Sequence, residues 1–389
     1  MARSALSLGR KLSFTAGVIV AALAALEGAA RALEDRVPAV LAPEGHQAPI
    51  GFTGDDRTVW NERPGAKLVD PVLARWEKAW NLPHDDTSEV PASTRGFRDE
   101  EAADPRPPGQ QRVFLLGDSS VWGSGVPRRD TFACRLEAMF NPPEANTPET
   151  RRVDVINSAI PGYSTYQSLA QLTRSLDLGL QGLIVYNMIS DFPPASGPGR
   201  DDVWFRGWRF GRPQWWEVFA LPRFIARLAA GPDTPLAPDE VISRVTYEHY
   251  RANLERFVEI AHEEGMWIVF VIPPLKADLG DMAHPADLEY VVKSDADAAK
   301  ADAFLRVPQK PSPRGAPHWC HRMAMSLVAW QEQVPIIDGP RLFRAVHEAN
   351  PGAYEGPNQL FVDDVHPSGT GHRVLAEALQ PILADKLQD

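Results

Sequence analysis

From Arg112 onward the chain alternates short β-branched apolar runs with stretches of helical period, and this alternation leaves few folds open. Val113-Phe114-Leu115-Leu116, Val153-Asp154-Val155-Ile156, Leu183-Ile184-Val185-Tyr186, Trp267 to Ile272 and Pro335-Ile336-Ile337 are runs of buried-strand type. Between the third and fourth runs lies helical spacing: Tyr247, Tyr250, Leu254, Phe257, Val258 and Ala261 recur at three- and four-residue steps, and Gly265 supplies a stop. Val374, Leu375, Ala378, Leu379, Ile382 and Leu383 repeat the pattern near the C-terminus. Strands that alternate with helices predict βαβ units, hence an α/β fold with a parallel sheet covered on both faces. In such sheets ligands bind beyond the carboxyl ends of the strands, where strand order reverses.

Other regions flank or interrupt this block. In residues 1–33, Arg3, Arg10 and Lys11 precede an uncharged stretch from Leu12 to Leu26, closed by Glu27 and Arg31. That is the pattern of a signal peptide or an uncleaved signal anchor, with a soluble amphipathic helix as the remaining reading. At about 15 residues the stretch is short against the ~20 of a full span. An Arg within Ala30-Arg31-Ala32 argues against cleavage there. Either signal reading makes the membrane a partner and places the folded part outside the cytoplasm, periplasmic or on the cell surface. Residues 34–110, rich in Pro, Gly and charge with apolar clusters such as Trp76 to Leu82, read as an extension wrapping the main domain, 111–389. Within that domain 192–241 breaks the rhythm with Trp204, Trp208, Trp215 and Trp216 among many Pro and Gly. It reads as a surface insertion packed on the core or as a cap over a ligand cleft. A second Pro-rich, polar stretch runs from Lys276 to Pro317.

Composition removes several function classes. With 40 Lys+Arg against 51 Asp+Glu the formal net charge is −11, and no basic run stands out, so no nucleic-acid partner is expected. Two cysteines, Cys134 and Cys320, are too few for a disulfide scaffold, and their pairing is open. His318, Cys320 and His321 have metal-like spacing but no second ligand cluster, so no metal is expected. Gly123-Ser124-Gly125 lacks the lysine of a phosphate loop, and no cofactor is expected. Oligomeric state is open.

The strand ends carry the chemistry. Gly117-Asp118-Ser119-Ser120 follows the first strand, and a serine at a sharp strand-to-helix turn is exposed as a nucleophile, although Ser119 or Ser120 could equally cap the helix. Asp118 reads as a hydrogen-bonding turn residue. Asn157-Ser158-Ala159-Ile160-Pro161-Gly162 follows the second strand, where Gly162 could offer an N–H. Tyr186-Asn187-Met188-Ile189-Ser190-Asp191 ends the third. Before the last helix, Asp363 and His366 stand three apart on a loop held by Pro367, where one could orient the other as a base for a serine.

Together, Gly117-Asp118-Ser119, the Asn-x-x-x-x-Gly turn ending at Gly162, and Asp363-x-x-His366 resemble the SGNH (GDSL-type) hydrolases in order and spacing, over roughly Gln111 to Leu387. Gly96-Phe97-Arg98, with Gly-Asp-Ser-x-x-x-Gly-x-Gly-Val from Gly117 to Val126, is similar to a branch with membrane-anchored members. The resemblance implies a three-layer α/β/α sandwich of flavodoxin-like kind and ester hydrolysis through an acyl-enzyme. It further implies Ser119 as nucleophile, His366 as general base, Asp363 as its partner, and an oxyanion hole from the N–H groups of Ser119 and Gly162. One departure stands out: where the family has Gly-x-Asn-Asp, this chain reads Met188-Ile189-Ser190-Asp191, so Ser190 takes the place of the donating Asn. On a continuing strand Asn187 would face away from Ser190. The expected function is a serine esterase acting on a small-molecule or glycan acyl ester, such as an O-acetylated glycan. An O-acyltransferase on the same triad and a non-catalytic glycan-binding envelope protein are the alternatives.

Overall fold

The computed structural model describes residues 92–192, 243–279, 290–306 and 317–387, together with residues 18, 20–30, 52–55, 59–62, 71–80, 210 and 221. Most of the tryptophan-rich insertion, including Trp204, Trp208, Trp215 and Trp216, lies outside them. So do most of the N-terminal basic residues and the link from 31 to 51.

The apolar runs form one five-stranded parallel sheet: β1 (Gln111–Leu116), β2 (Val153–Asn157), β3 (Gly182–Val185), β4 (Trp267–Ile272) and β5 (Ile336–Asp338). Their order is β2-β1-β3-β4-β5, so the chain reverses direction across the sheet between β1 and β3. The helices are α1 (Ser119–Trp122), α2 (Phe132–Phe140), α3 (Thr165–Thr173), α4 (Tyr247–Glu263), α5 (Asp295–Leu305), α6 (Pro317–Gln331), α7 (Gly339–Ala349) and α8 (Gly369–Lys386). Phe114, Leu116, Ile156, Leu183, Val185 and Phe270 pack with α3, α4, α5 and α6 on one face. Val113, Leu115, Val155, Ile184 and Val269 pack with α1, α2, α7 and α8 on the other. The result is a three-layer α/β/α sandwich. Burial on both faces is why these strands read as continuous apolar runs and lack polar alternation.

Several elements escape the sequence pattern. Helix α5 lies inside the polar stretch from Lys276 to Pro317, where alanine and aspartate alternate without an apolar stripe. It is started by Ser294, whose hydroxyl accepts the Asp297 N–H. Within residues 34–110, Phe52–Asp55 pairs antiparallel with Val59–Glu62, and Pro71–Trp80 is helical. Residues 92–110 pack against the sandwich: Phe97 is buried in the core, and Asp99 and Glu100 enter an ionic network with Arg128 and Arg151. Cys134 on α2 and Cys320 on α6 are both free and lie on opposite faces of the sheet, so they cannot pair.

The N-terminal helix over residues 20–30 exposes Val20, Leu23 and Leu26, while Ala30 is buried and Glu27 Oε2 accepts the Leu221 N–H at 2.9 Å. Among the described residues no helix is long and apolar enough to cross a membrane.

Candidate active site

The carboxyl ends of β1 and β3 lie at the reversal of strand order, and the site is built there. After Leu116 the chain turns at Gly117, and the Asp118 carboxylate caps α1 by accepting the Ser120 N–H at 3.0 Å. Ser119 is thereby set at the first position of a single-turn helix, which Gly123 ends at φ 92°. Arg98 fixes the far end of that turn. Its guanidinium donates to the carbonyls of Trp122 at 3.1 Å, Gly123 at 2.9 Å and Val126 at 3.1 Å, and lies 4.1 Å over the Trp122 ring. This is where Gly96-Phe97-Arg98 acts, a role its sequence neighbourhood does not disclose.

The second half of the site comes from the loop before α8. An isolated bridge joins Phe361 to Pro367, and the Val362 N–H donates to the His366 carbonyl at 2.9 Å, so the segment closes on itself. Inside it Asp363 Oδ1 accepts the N–H groups of Val365 and His366, each at 2.9 Å, and Oδ2 accepts from His366 Nδ1 at 2.7 Å. With Nδ1 carrying the proton, Nε2 offers its lone pair to Ser119, whose hydroxyl donates to it at 2.8 Å. Burial would push the Asp363 carboxyl up, but the His366 hydrogen bond and charge, with the two loop N–H groups, outweigh it and hold Asp363 down at about 2. Two outside contacts seat the loop: Ser120 Oγ donates to the Val365 carbonyl at 3.2 Å, and the Lys276 N–H donates to the Asp364 carbonyl at 2.9 Å.

The turn after β2 borders the Ser119 turn. The Ile160 N–H donates to the Gly117 carbonyl at 3.4 Å, and the Tyr163 N–H to the Ile160 carbonyl at 3.1 Å. Gly162 occupies the third turn position at φ 79°, a conformation that suits glycine after Pro161. No described residue accepts the N–H of Ser119 or of Gly162.

Ser190 is adjacent but differently employed. Its N–H donates to Asp118 Oδ2 at 3.1 Å, and its hydroxyl also stabilises that carboxylate. Asp118 is fully buried, and burial raises its pKa. Asp118 thus ties the Ser119 turn to the loop after β3, more than a local turn residue does. The strand-alternation argument for Asn187 does not hold, because β3 stops at Val185 and the chain turns, with the Asp191 N–H donating to the Met188 carbonyl at 2.9 Å. Asn187 Nδ2 instead donates to the Tyr163 carbonyl at 3.4 Å. His321 Nε2 lies 2.9 Å from the Val245 carbonyl and packs on Tyr250, while Cys320 is buried. Among the described residues no group of His, Cys, Asp and Glu could hold a metal ion.

No family model matches the chain, and no curated protein matches it. Solved structures similar to it include LAE5, an alpha/beta hydrolase enzyme from the metagenome of Lake Arreo, Spain, at 18% identity over 73% of this chain and 96% of that one, with a TM-score of 0.39. The acetyl xylan esterase AlAXEase is 12% identical over 70% of this chain and 99% of its own, with a TM-score of 0.40. A variant of Axe2, an acetyl-xylooligosaccharide esterase from Geobacillus Stearmophilus, is 16% identical over 70% and 94%, with a TM-score of 0.38.

Proposed function

We propose that the chain is a serine ester hydrolase working through an acyl-enzyme. The observation that carries this reading is the continuous relay from Ser119 Oγ to His366 Nε2 at 2.8 Å and from His366 Nδ1 to Asp363 Oδ2 at 2.7 Å. His366 takes the Ser119 proton as Oγ bonds to the ester carbonyl carbon, and the carbonyl electrons move onto its oxygen. The N–H groups of Ser119 and Gly162 stabilise that oxyanion. When the tetrahedral centre collapses, the C–O bond to the alcohol breaks and His366 returns the proton to the leaving oxygen. Water, deprotonated by the same imidazole, then attacks the acyl-enzyme, and the acid leaves with Ser119 restored. Throughout, the Asp363 carboxylate holds the imidazole in one tautomer and balances its charge. Ser190 stands beside this hole in support, its N–H spent on Asp118.

The substrate class proposed is an O-acylated glycan, because the tryptophans of 192–241 supply flat apolar faces of the kind that stack on sugar rings. The N-terminal segment is proposed to hold the protein at a membrane, through the basic Arg3, Arg10 and Lys11 and the exposed Val20, Leu23 and Leu26. Fractionation of the full chain against one lacking residues 1–33 tests the second point, and equal partition of both would refute it. The esterase reading is tested by fluorophosphonate labelling of the purified protein with peptide mapping. Label on Ser119, lost in Ser119→Ala and His366→Ala together with p-nitrophenyl acetate turnover, supports it. Unlabelled wild-type protein that still binds glycan would turn the reading to a binding module, and acyl transfer to an added sugar in place of free acid would turn it to a transferase.

A further inference from the structure

One cation grips the turn that carries Gly162 without a part in the proton relay. Arg244 stands just before α4, where its Nη1 donates to the Gly162 carbonyl at 2.5 Å and its Nη2 to Gln167 Oε1 at 2.6 Å. Gln167 Oε1 also accepts the Ser164 N–H at 3.0 Å, in the capping box that starts α3. Beside Arg244 the Val245 N–H donates to the Asp191 carbonyl at 2.9 Å, which anchors this backbone to the loop after β3. Arg244 therefore joins two pieces of chain that meet at the site: the turn after β2 and the segment leading into α4.

The geometry of the turn says what that grip does. Pro161 and Gly162 occupy its two central positions, Gly162 has φ 79°, and the Tyr163 N–H closes it on the Ile160 carbonyl at 3.1 Å, which is a type II arrangement. Types I and II differ by rotation of the central peptide, here Pro161–Gly162, and that rotation reverses the direction of the Gly162 N–H. The following peptide, Gly162–Tyr163, is held at both ends, its N–H by Ile160 and its carbonyl by Arg244. Arg244 therefore fixes, through a charge-assisted bond, the peptide that follows Gly162 and with it the Cα from which the Gly162 N–H projects.

We propose that Arg244 is a positioning residue for the oxyanion hole, holding Gly162 in place so that its N–H reaches the oxygen of the carbonyl attacked by Ser119. This rests on the esterase reading. In the full chain, Arg244→Ala is expected to lower kcat on p-nitrophenyl acetate about tenfold, short of the 10²–10³ for losing a donor outright, with KM and thermal midpoint unchanged. Arg244→Lys, which keeps a charged donor but not the fork, is expected to recover part of that loss. Preference for an oxoester over the matching thionoester reports the hydrogen bonds made to the oxyanion, and it is expected to narrow in Arg244→Ala while the pH profile keeps its shape. Wild-type kcat and preference in Arg244→Ala would overturn the proposal. So would a kcat loss that leaves the preference intact, because a merely structural contact gives that result. Should Arg244→Ala fail to fold, the oxoester preference of Arg244→Lys decides in the same way. If the wild-type protein shows no Ser119-dependent hydrolysis, the esterase reading itself has failed and this proposal falls with it.

Discussion

Two clusters of titratable groups sit on this sheet, and they are built on opposite principles. Asp363 and His366 belong to one short loop; the Asp363 side chain is 41% exposed and that of His366 14%. At the β2 edge, Arg151 meets Glu100 at 2.5 Å, Glu137 at 2.7 Å and Asp154 at 3.1 Å, while Arg112 meets Asp154 at 3.3 Å and Arg128 meets Asp99 at 2.5 Å. There four carboxylates share three guanidinium groups, all of them mostly buried except Glu100. Burial, with Asp99 and Asp154 nearby, pushes Glu137 up to about 8 against the pull of Arg151, whereas Asp363 is drawn down to about 2. The difference teaches what each cluster is for. In the first a serine hydroxyl lies against the imidazole, whereas in the second the pairs run from one element to another, which suits joining residues 92–110 to the sandwich.

The comparison can be broken in order of expected effect. Ser119→Ala or His366→Ala should lower kcat/KM on p-nitrophenyl acetate by on the order of 10⁴ or more with thermal unfolding little changed. Arg151→Met should do the reverse. Leaving Glu137 and Asp154 buried without their shared cation costs about 3–5 kcal/mol in denaturant unfolding, while kcat per folded molecule is retained. Gly162→Ala should cost about 10²–10³ in kcat, because a Cβ disfavours φ 79° and the donor swings away; wild-type kcat in that variant would remove Gly162 from the hole.

A smaller effect is the pH dependence of stability, where the two clusters have opposite signs. Asp363 is depressed in the fold, so its contribution is present above its unfolded pKa and is lost as pH falls toward about 2. Glu137 is raised, so its contribution is present at acid pH and is lost as pH rises from the ordinary range of a glutamate through about 8. Unfolding across pH should therefore lose part of its slope between the ordinary glutamate range and about 8 in Glu137→Gln, and part of its acid slope in Asp363→Asn. The smallest change is expected at the surface pair of Arg95 and Asp177, 2.6 Å apart with side chains 34% and 65% exposed, where Asp177→Asn should cost under about 1 kcal/mol.

How far the site is legible in the sequence depends on how local each contact is. Asp363 and His366 pair within one loop, so their spacing announces them. Ser119 stands directly after a strand, and a strand end in a parallel sheet is already a functional address. Arg98 gives no such sign, since its carbonyl partners follow only from how residues 92–110 lie on the Gly123 turn. Arg244 is equally silent, a lone arginine after the Trp- and Pro-rich stretch until α3 and α4 bring it to Gly162. Helix α5 is hidden for a different reason: its alanines and aspartates carry no stripe, and only Ala301 and Leu305 are buried on it.

The sequence by itself determined that the chain makes a covered parallel sheet, because its apolar β-branched runs are hydrophobic on both sides and cannot be left facing water. It determined as well that an acid and an imidazole share a loop, because three residues is a distance the backbone closes locally. What the tertiary structure alone decided is that Ser119 meets this loop, 247 residues away, and that Ser190 turns its N–H to Asp118. Strands of similar hydrophobicity are interchangeable in composition. The order β2-β1-β3-β4-β5 is chosen by helix packing over the whole domain, and that order carries β1 to the switch point where the loop before α8 brings His366.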